Sequence, residues 1–494
     1  MATGSMGWRV KSVEQSIEDT DEPSTRLRKD LTWWDLTVFG VAVVVGAGIF
    51  TVTASTAGNI TGPAISVSFI IAAIACGLAA LCYAEFASTV PVAGSAYTFS
   101  YATFGEFVAW VIGWDLILEF AVGAAVVSKS WSTYLGTVFG FSGGTVELGP
   151  LKVDCGALLI VAVLTLLLAL GTKLSSRVSA VITAIKVGVV LLVIVVGAFF
   201  IKAANYSPFV PPAAAGGSEA TEQSLFSLLT GAGSSTYGWY GVLAGASIVF
   251  FAFIGFDVVA TTAEETKRPQ RDVPRGIIAS LIIVTLLYVA VSVVLSGMVR
   301  YSDLKSASED SGANLATAFQ LNGVDWAAKA IAIGALAGLT TVVMVLMLGQ
   351  SRVLFAMSRD TLLPASLAQT GERGTPVRIT VLVGVVVALT AALFPMAKLE
   401  EMVNVGTLFA FVLVSAGVMI LRRTRGDLER GFRAPGVPLV PILSILACVW
   451  LMLNLTTLTW IRFVVWMAVG VVIYFAYGRR HSALAQREEV LASA

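Results

Sequence analysis

The chain has 494 residues, of which 57% are hydrophobic and only 13% are charged, and its mean hydropathy is +0.85. Soluble domains carry about 25% charged residues, so this composition excludes an ordinary soluble protein, and the net charge of +1 gives no indication of nucleic-acid binding. Hydrophobic runs near the length that a helix needs to cross a bilayer recur along the whole sequence. We therefore predict an all-α integral membrane protein.

Twelve hydrophobic segments follow one another along the chain, and we number them segments 1 to 12. They lie at roughly 34–57, 64–88, 106–138, 155–171, 176–201, 239–263, 276–299, 326–350, 377–395, 402–421, 439–459 and 462–478. Residues 1–30 are polar and charged, so no cleavable signal peptide is visible. The sequence thus predicts twelve transmembrane helices.

The loops between the segments differ strongly in positive charge. If the N-terminus is cytoplasmic, the inner loops and tails hold 23 Lys and Arg residues, and the outer loops hold 7. Positive residues favour the cytoplasmic side of a membrane. We therefore expect a multi-pass protein with both termini in the cytoplasm.

Segments 1 and 6 contain short glycine-bearing stretches where a regular helix is disfavoured. The first is 46–50, Gly46-Ala47-Gly48-Ile49-Phe50, and the second is 253–257, Phe253-Ile254-Gly255-Phe256-Asp257. A break in lipid frees backbone groups that hydrocarbon cannot satisfy, and paired broken helices indicate the binding site of a secondary transporter. We predict unwound backbone at both stretches. The alternative is a pair of kinked structural helices.

The two predicted breaks divide the chain into repeated blocks. Each is in the first segment of a block of five, and an odd number of segments gives the second block the opposite topology. The predicted parts are a cytoplasmic tail (1–31), segments 1–5 (32–201), an extracellular loop (202–238), segments 6–10 (239–423), segments 11–12 (424–478) and a second cytoplasmic tail (479–494). The expected architecture is a five-plus-five inverted repeat followed by two C-terminal helices.

The cysteines and the single histidine do not form a catalytic or metal-binding pattern. Cys76, Cys82, Cys155 and Cys448 have no ligand spacing, and we interpret them as apolar residues rather than as zinc ligands or a disulfide. His481 is next to two arginines in the tail. We therefore expect no cofactor, no metal and no enzyme activity.

Five motifs in order resemble the amino acid–polyamine–organocation superfamily, and within it bacterial relatives of the cationic amino acid transporter family. The motifs lie at 46–50, 83–86 with 91–97, 113–119, 251–257 with Glu264, Glu265 and Pro269, and 356–360. The resemblance covers segments 1–10 and, more weakly, the rest. It implies a leucine-transporter-like fold, amino acid transport by alternating access, and a place in the bacterial inner (plasma) membrane.

A zwitterionic substrate explains why two broken helices would suit an amino acid. Its carboxylate needs N–H donors at a helix N-terminus. The backbone N–H groups of Gly48, Ile49 and Phe50 can supply these donors, and Gly46 lies next to them. Its ammonium needs carbonyl groups at helix C-termini, expected near Val44 and Val45 in segment 1 and near Phe251 and Phe253 in segment 6. The resemblance implies the same assignment. As an alternative, both glycines serve close helix packing.

Lys186 in segment 5 is predicted to lie near the middle of the bilayer, about ten residues from the cytoplasmic start of its segment. A lysine at that depth must be paired or neutral. In several relatives such a lysine takes the place of a sodium ion, and the resemblance implies contacts with segment 1 carbonyls and with hydroxyls of segment 8, here Thr340 and Thr341. Reversible protonation would couple transport to protons. The alternative is a permanent structural cation.

Acidic residues supply further hypotheses. Asp115 and Glu119 are four residues apart and share a helix face. Glu119 is the deeper of the two in the membrane. We expect it to pair with a cation, to act as a gating group or to form a structural hydrogen bond. Asp257 is expected to cap the second half of segment 6. Three more acids near the cytoplasmic side, Glu85, Glu264 and Glu265, are expected to pair with Arg268, Arg271 or Arg359.

The proposed pocket positions Ile49, Phe253, Ile254, Phe256 and Leu339 are all apolar. They favour small or medium neutral amino acids over arginine as substrates. Glu119 is the feature that remains compatible with a cationic substrate. The expected partners are an amino acid, a proton and membrane lipid, without nucleic acid; an accessory subunit is compatible with the sequence but nothing indicates one. Exchange without net proton coupling is the alternative mechanism, and a channel or nutrient receptor of the same fold is more remote.

Overall fold

The computed structural model describes residues 30–89, 95–140, 145–148, 151–171, 176–215, 221–231, 235–311, 313–369 and 376–482. Most of the two predicted tails, part of the loop 202–238, and residues 91–94 of the second motif lie outside the described residues. The boundaries predicted for the tails and the repeats stay predictions.

Helices form almost all of the regular structure. The α-helices are Trp33–Val44, Thr53–Thr56, Ile65–Thr89, Ser95–Thr103, Glu106–Phe139, Cys155–Ala169, Ser176–Ala198, Leu225–Thr230, Gly238–Val249, Val258–Thr261, Pro269–Met298, Tyr301–Ser311, Leu315–Leu321, Asp325–Arg359, Val377–Leu393, Met396–Thr424, Leu439–Leu453, Thr457–Ile473 and Arg479–His481. The shorter π and 3-10 helices are Gly48–Val52, Ala57–Thr61, Gly62–Ala64, Ala203–Tyr206, Phe250–Phe253, Ala263–Glu265, Ala365–Ala368 and Tyr474–Gly478.

The strands of the described residues form two small antiparallel hairpins. Thr145–Leu148 pairs with Leu151–Asp154, and Ala214–Ala215 pairs with Ser235–Thr236. Both are in predicted connections between hydrophobic segments, so they leave the all-helical membrane class unchanged.

Each of the twelve predicted segments contains a helix, but the helices differ in length. Eight helical stretches of the described residues are long and apolar enough to cross a membrane. Four apolar helices are shorter, namely Trp33–Val44, Cys155–Ala169, Val377–Leu393 and Leu439–Leu453. The structure therefore confirms a multi-pass helical membrane protein, while the number twelve and the inverted repeat stay predictions.

Segment 1 stops being helical near its glycines. The helix Trp33–Val44 begins with a capping box formed by Thr32 and Asp35, and it ends because Val45 adopts an extended conformation, with φ −70° and ψ 90°. Helical structure resumes as the π-helix Gly48–Val52. The break thus covers residues 45–46. The predicted range of 46–50 was wrong at its far end, since residues 48–50 are already helical.

Segment 6 unwinds at the predicted stretch. The helix Gly238–Val249 tightens into the 3-10 turn Phe250–Phe253, and residues 254–257 are non-helical before Val258–Thr261. Gly255 has φ +114°, which other residues rarely adopt. A Cβ atom at this glycine would lie 2.7 Å from Cγ1 of Val43. Glycine thus permits both the turn and the close approach to segment 1.

The segments pack in two groups that meet at the breaks. Segments 1, 2, 6 and 7 pack on one another, and segments 3, 4, 8 and 9 form the second group, in which segments 3 and 8 share the largest contact. Segments 5 and 10 contact both groups. Each group contains corresponding members of the two predicted five-segment blocks, which is the pairing that an inverted repeat requires.

Candidate functional site

A small cavity lies where the two broken segments face segments 3, 8 and 10. Its volume is about 30 Å³, room for about two water molecules. The lining residues are Val43, Val44, Gly46, Ala47, Gly48, Glu119, Gly123, Val127, Phe251, Ile254, Val342, Leu346 and Val403. Apart from Glu119 and the exposed backbone of the breaks, these walls are apolar, so the cavity combines few polar groups with a hydrophobic surface, as small-molecule sites do.

The backbone of segment 1 leaves hydrogen-bond donors without intrahelical partners beside this cavity. The first half-helix ends with the bond from Val45 N to Val41 O, 2.9 Å, and the next bond along the chain runs from Phe50 N to Gly46 O, 3.3 Å. The N–H groups of residues 46–49 therefore begin a new helix, where no preceding turn supplies acceptors. A helix N-terminus with lining glycines can bind a carboxylate.

The carbonyl groups expected to bind an ammonium are partly occupied. Tyr288 donates its hydroxyl to Val44 O at 2.7 Å, and Ile254 N donates to Phe251 O at 3.3 Å. A carbonyl oxygen can accept two hydrogen bonds, so these contacts fix the half-helix ends and leave one acceptor position on each oxygen. Val44 and Phe251 both line the cavity.

Gly48 lines the cavity, and its missing side chain has a packing reason. A Cβ atom there would lie 2.2 Å from Cα and 2.4 Å from Cβ of Ala252 in segment 6. The alternative reading, close packing between helices, holds for this glycine, while at Gly46 the nearest atom would be Val342 Cγ2 at 3.3 Å.

Six other predicted pocket residues lie outside the cavity lining, in the packed core: Val45, Ile49, Phe50, Phe253, Phe256 and Leu339. Three of them are aromatic and pack on other rings. Phe50 contacts Tyr134, Phe253 contacts Tyr288, and Phe256 contacts Phe411, with ring centroids 5.1–6.3 Å apart. Consecutive residues around a break cannot all face one cavity. These side chains therefore point away from the cavity and pack the breaks against the core.

Sequence reasoning missed seven lining residues: Val43, Ala47, Gly123, Val127, Val342, Leu346 and Val403. A four-residue step from Glu119 along segment 3 gives Gly123 and then Val127, so helical periodicity could have found two of them. The side chains from segments 8 and 10 depend on tertiary packing and carry no local signal.

Lys186 is buried against the first half of segment 1. Its side chain is 1% exposed, and Nζ donates to Ala42 O at 2.6 Å. The stem lies over Gly338, where a Cβ atom would be 2.8 Å from Cγ of the lysine. This is the only hydrogen bond of Nζ among the described residues, whereas an ammonium offers three donors.

The two threonines expected to bind Lys186 bond elsewhere. Thr340 donates to Leu336 O at 2.8 Å and accepts from Trp131 Nε1 at 3.0 Å, and Thr341 donates to Gly338 O at 2.7 Å. The predicted contact with segment 8 hydroxyls is absent among these bonds. The lysine instead packs its stem on the backbone of segment 8.

A set of buried acids is contributed by segments 3 and 6, and one of them, Glu119, lines the cavity. Asp115, Glu119 and Asp257 are at most 2% exposed, and each has at least one oxygen without a hydrogen bond to the described residues. Asp257 is at the N-cap position of Val258–Thr261 but forms no capping bond, contrary to the prediction. Because buried unpaired carboxylates are costly in a membrane, this set favours bound protons or a cationic partner.

Glu85 pairs with the connection between segments 10 and 11, not with Arg268, Arg271 or Arg359. Arg422 donates Nε and Nη2 to its two carboxylate oxygens at 2.7 and 2.6 Å. The Nε atom of Arg430 lies 3.4 Å from the same carboxylate, and Ala434 N donates to it at 2.8 Å. Among the other predicted acids, the side chain of Glu264 lies outside the described residues. Glu85 thus fixes the 10–11 connection to the end of segment 2.

Glu85→Gln should lower the apparent melting temperature of the detergent-solubilised protein. The change removes the counter-charge from Arg430, whose side chain is 4% exposed, and breaking a buried ion pair costs about 3 kcal/mol. Asp427→Asn is the control, since its pair with Arg425 is 3.2 Å long but exposed and should not change the melting temperature measurably. Equal melting temperatures for the two variants would contradict the anchoring role of Glu85.

Comparison with known proteins places the chain among membrane transporters, in agreement with its helical membrane fold. A sequence profile of the amino acid permease family matches residues 31–477. The chain is similar to a branched-chain amino acid permease of Bacillus subtilis, with 42% identity over 97% of this chain and 99% of the relative. It is also similar to a methylthioribose transporter of the same species, with 39% identity over 93% and 96% of the two chains.

A plant relative extends the range of substrates named for similar proteins. It is the vacuolar cationic amino acid transporter 4 of Arabidopsis thaliana, 30% identical over 96% of both chains. All three relatives are named as permeases or transporters, and none of the names describes an enzyme.

Proposed function

The chain belongs to the amino acid permease family, within the amino acid–polyamine–organocation superfamily, and from that premise we propose that it imports small or medium neutral L-amino acids by alternating access. The cavity between the broken segments carries this proposal. Its backbone donors at residues 46–48 suit a carboxylate, the half-helix ends at Val44 and Phe251 suit an ammonium, and its remaining walls suit an apolar side chain. The proposed location is the bacterial plasma membrane, with both termini in the cytoplasm.

The cavity is too small in this conformation for a whole amino acid, so substrate binding must separate its walls. The two groups of segments meet at the cavity, and movement of one group against the other is the motion by which transporters with this arrangement open to each side. We therefore propose that the cavity widens during the transport cycle.

Proton coupling is the second part of the proposal. Lys186 joins segment 5 to Ala42 in segment 1, directly before the break. Taking up or releasing a proton there would change how tightly the two segments are held. Amino acid exchange without net proton movement is the alternative, and the two differ in whether an imposed proton gradient drives accumulation.

Neutral amino acids should outcompete arginine and lysine for uptake. A cationic side chain would need a carboxylate in a desolvated pocket, and Glu119 is the single acid among the lining residues. The measurement is competition against labelled alanine in proteoliposomes with an inward proton gradient, using the twenty amino acids and methylthioribose as competitors.

Arginine uptake that is more efficient than uptake of any neutral amino acid would reject the selectivity, and would make Glu119 a counter-ion for the substrate. Glu119→Gln separates the two cases. In the proposed transporter this variant keeps the preference for neutral over cationic amino acids, whereas in a cationic transporter it loses arginine selectively. Competition by methylthioribose alone would reject amino acids as the substrate class.

A further inference from the structure

One face of segment 3 runs along the cavity as a stripe of three residues. Glu119, Gly123 and Val127 are spaced by four, so they lie above one another on the helix Glu106–Phe139. All three line the cavity. Along this face, the cavity therefore borders first on an acid, then on a position without a side chain, and then on an aliphatic side chain.

The gap at Gly123 has no packing reason of the kind found at Gly48. A Cβ atom at Gly123 would lie 3.5 Å from Cδ1 of Leu346 and 4.0 Å from Cγ1 of Val403, which are ordinary contact distances. Gly123 is inside a regular helix, where alanine is the more stable residue. The protein fold would accept a methyl group here, and the space that the methyl group would fill belongs to the cavity.

We propose that Gly123 determines the largest side chain that the transporter accepts, and that this corner receives an aliphatic side chain. The inference rests on the proposed amino acid transport and adds the residue that sets its size limit. The walls of the corner are Val127, Leu346 and Val403, all apolar, so the corner offers no hydrogen bond to a polar side chain. A methyl group on Gly123 would shorten the corner and exclude branched side chains, while leaving the backbone donors of segment 1 untouched.

The test compares leucine with alanine in the Gly123→Ala variant. We expect uptake efficiency for leucine to fall at least tenfold relative to alanine, because one methylene group in an apolar pocket discriminates about 10–200-fold. Gly349→Ala is the matched control: the atoms nearest to its Cβ atom would be those of the Phe120 ring, at ordinary contact distances of 3.5–3.8 Å, and Gly349 is not a lining residue. The control should keep the leucine-to-alanine ratio of the unmodified protein.

A compensating change distinguishes a size limit from general damage. Val403→Ala removes two methyl groups from the opposite wall of the same corner, so the double variant Gly123→Ala with Val403→Ala should regain leucine uptake. Val403→Ala alone should allow uptake of amino acids with larger side chains, such as phenylalanine. If the single Gly123 variant fails to fold, this result tests the size limit by itself.

An unchanged leucine-to-alanine ratio in folded Gly123→Ala, or an unchanged size limit in Val403→Ala, would overturn the inference and leave amino acid transport intact. Failure of the unmodified protein to take up any amino acid would instead remove the proposed function, and this inference with it.

Discussion

Gly48→Ala is expected to abolish substrate binding and transport, even though alanine adds only one methyl group. The added Cβ atom would lie 2.2 Å from the main chain of Ala252, and backbone cannot move aside as a flexible side chain can. Forcing such a contact costs about 2 kcal/mol or more, which corresponds to at least about a 30-fold change in an equilibrium. Segments 1 and 6 would separate at the point where their breaks form the cavity. Gly48→Val should have a still larger effect.

The Gly77→Ala variant is the control for the Gly48 experiment. Gly77 is in the helix Ile65–Thr89, outside the cavity lining, and a Cβ atom there would meet nothing within 4 Å. The added methyl group is therefore accommodated without any shift. Binding should be measured as a substrate-induced thermal shift, and the apparent melting temperature without substrate should also fall in Gly48→Ala. Normal uptake by folded Gly48→Ala would contradict the close contact between the two segments.

The broken segments could be predicted from the sequence because their cause is local. Gly255 adopts φ +114°, a conformation that its residue type permits, and Gly46 lies directly where segment 1 leaves its helix. The hydrophobic segments were predictable for a similar reason, since each needs an apolar run of sufficient length. The end of the first break was not predictable, because Gly48 approaches Ala252 of segment 6 closely and such a contact between segments leaves no local signal in the sequence.

The side-chain partners across segments were much less predictable. Glu85 has several arginines within reach in the sequence, and only the path of the connection after segment 10 brings Arg422 and Arg430 to it. The family resemblance implied Thr340 as a partner for Lys186, yet its hydroxyl donates to Leu336 O and accepts from Trp131 Nε1. Helix rotation decides such contacts, and a rotation of one residue changes which side chain faces a neighbour.

The division between lining and supporting residues at the site has the same origin. Phe253 and Phe256 lie within the predicted break at 253–257, but both rings pack into the core, on Tyr288 and Phe411. Val403, far away in sequence, reaches the cavity from segment 10. The sequence could indicate where the backbone would bind a zwitterion, because that depends on the breaks. It could not indicate which walls would surround the side chain.

Lys186→Met should remove uptake driven by a proton gradient and leave substrate binding in place. Methionine approximates the neutral lysine in volume but cannot donate to Ala42 O or carry a proton, so segments 1 and 5 would lose their switchable contact. Coupling energies of this kind are on the order of 1–3 kcal/mol, so accumulation should fall about 5–150-fold. The substrate contacts proposed in segments 1 and 6 remain, so binding and slow exchange should persist.

Three measurements separate coupling from a structural role for Lys186. Uptake by the unmodified protein should depend on an inward proton gradient and should not change when sodium is replaced by potassium. Lys129→Met is the matched control, because Lys129 also lies in a hydrophobic segment but is not a lining residue; it pairs with Asp154 at 3.5 Å and donates to Ala391 O at 3.0 Å. This variant should keep its proton dependence. Normal accumulation by Lys186→Met under a proton gradient, or a sodium requirement of the unmodified protein, would show that Lys186 is a fixed structural contact between segments 5 and 1.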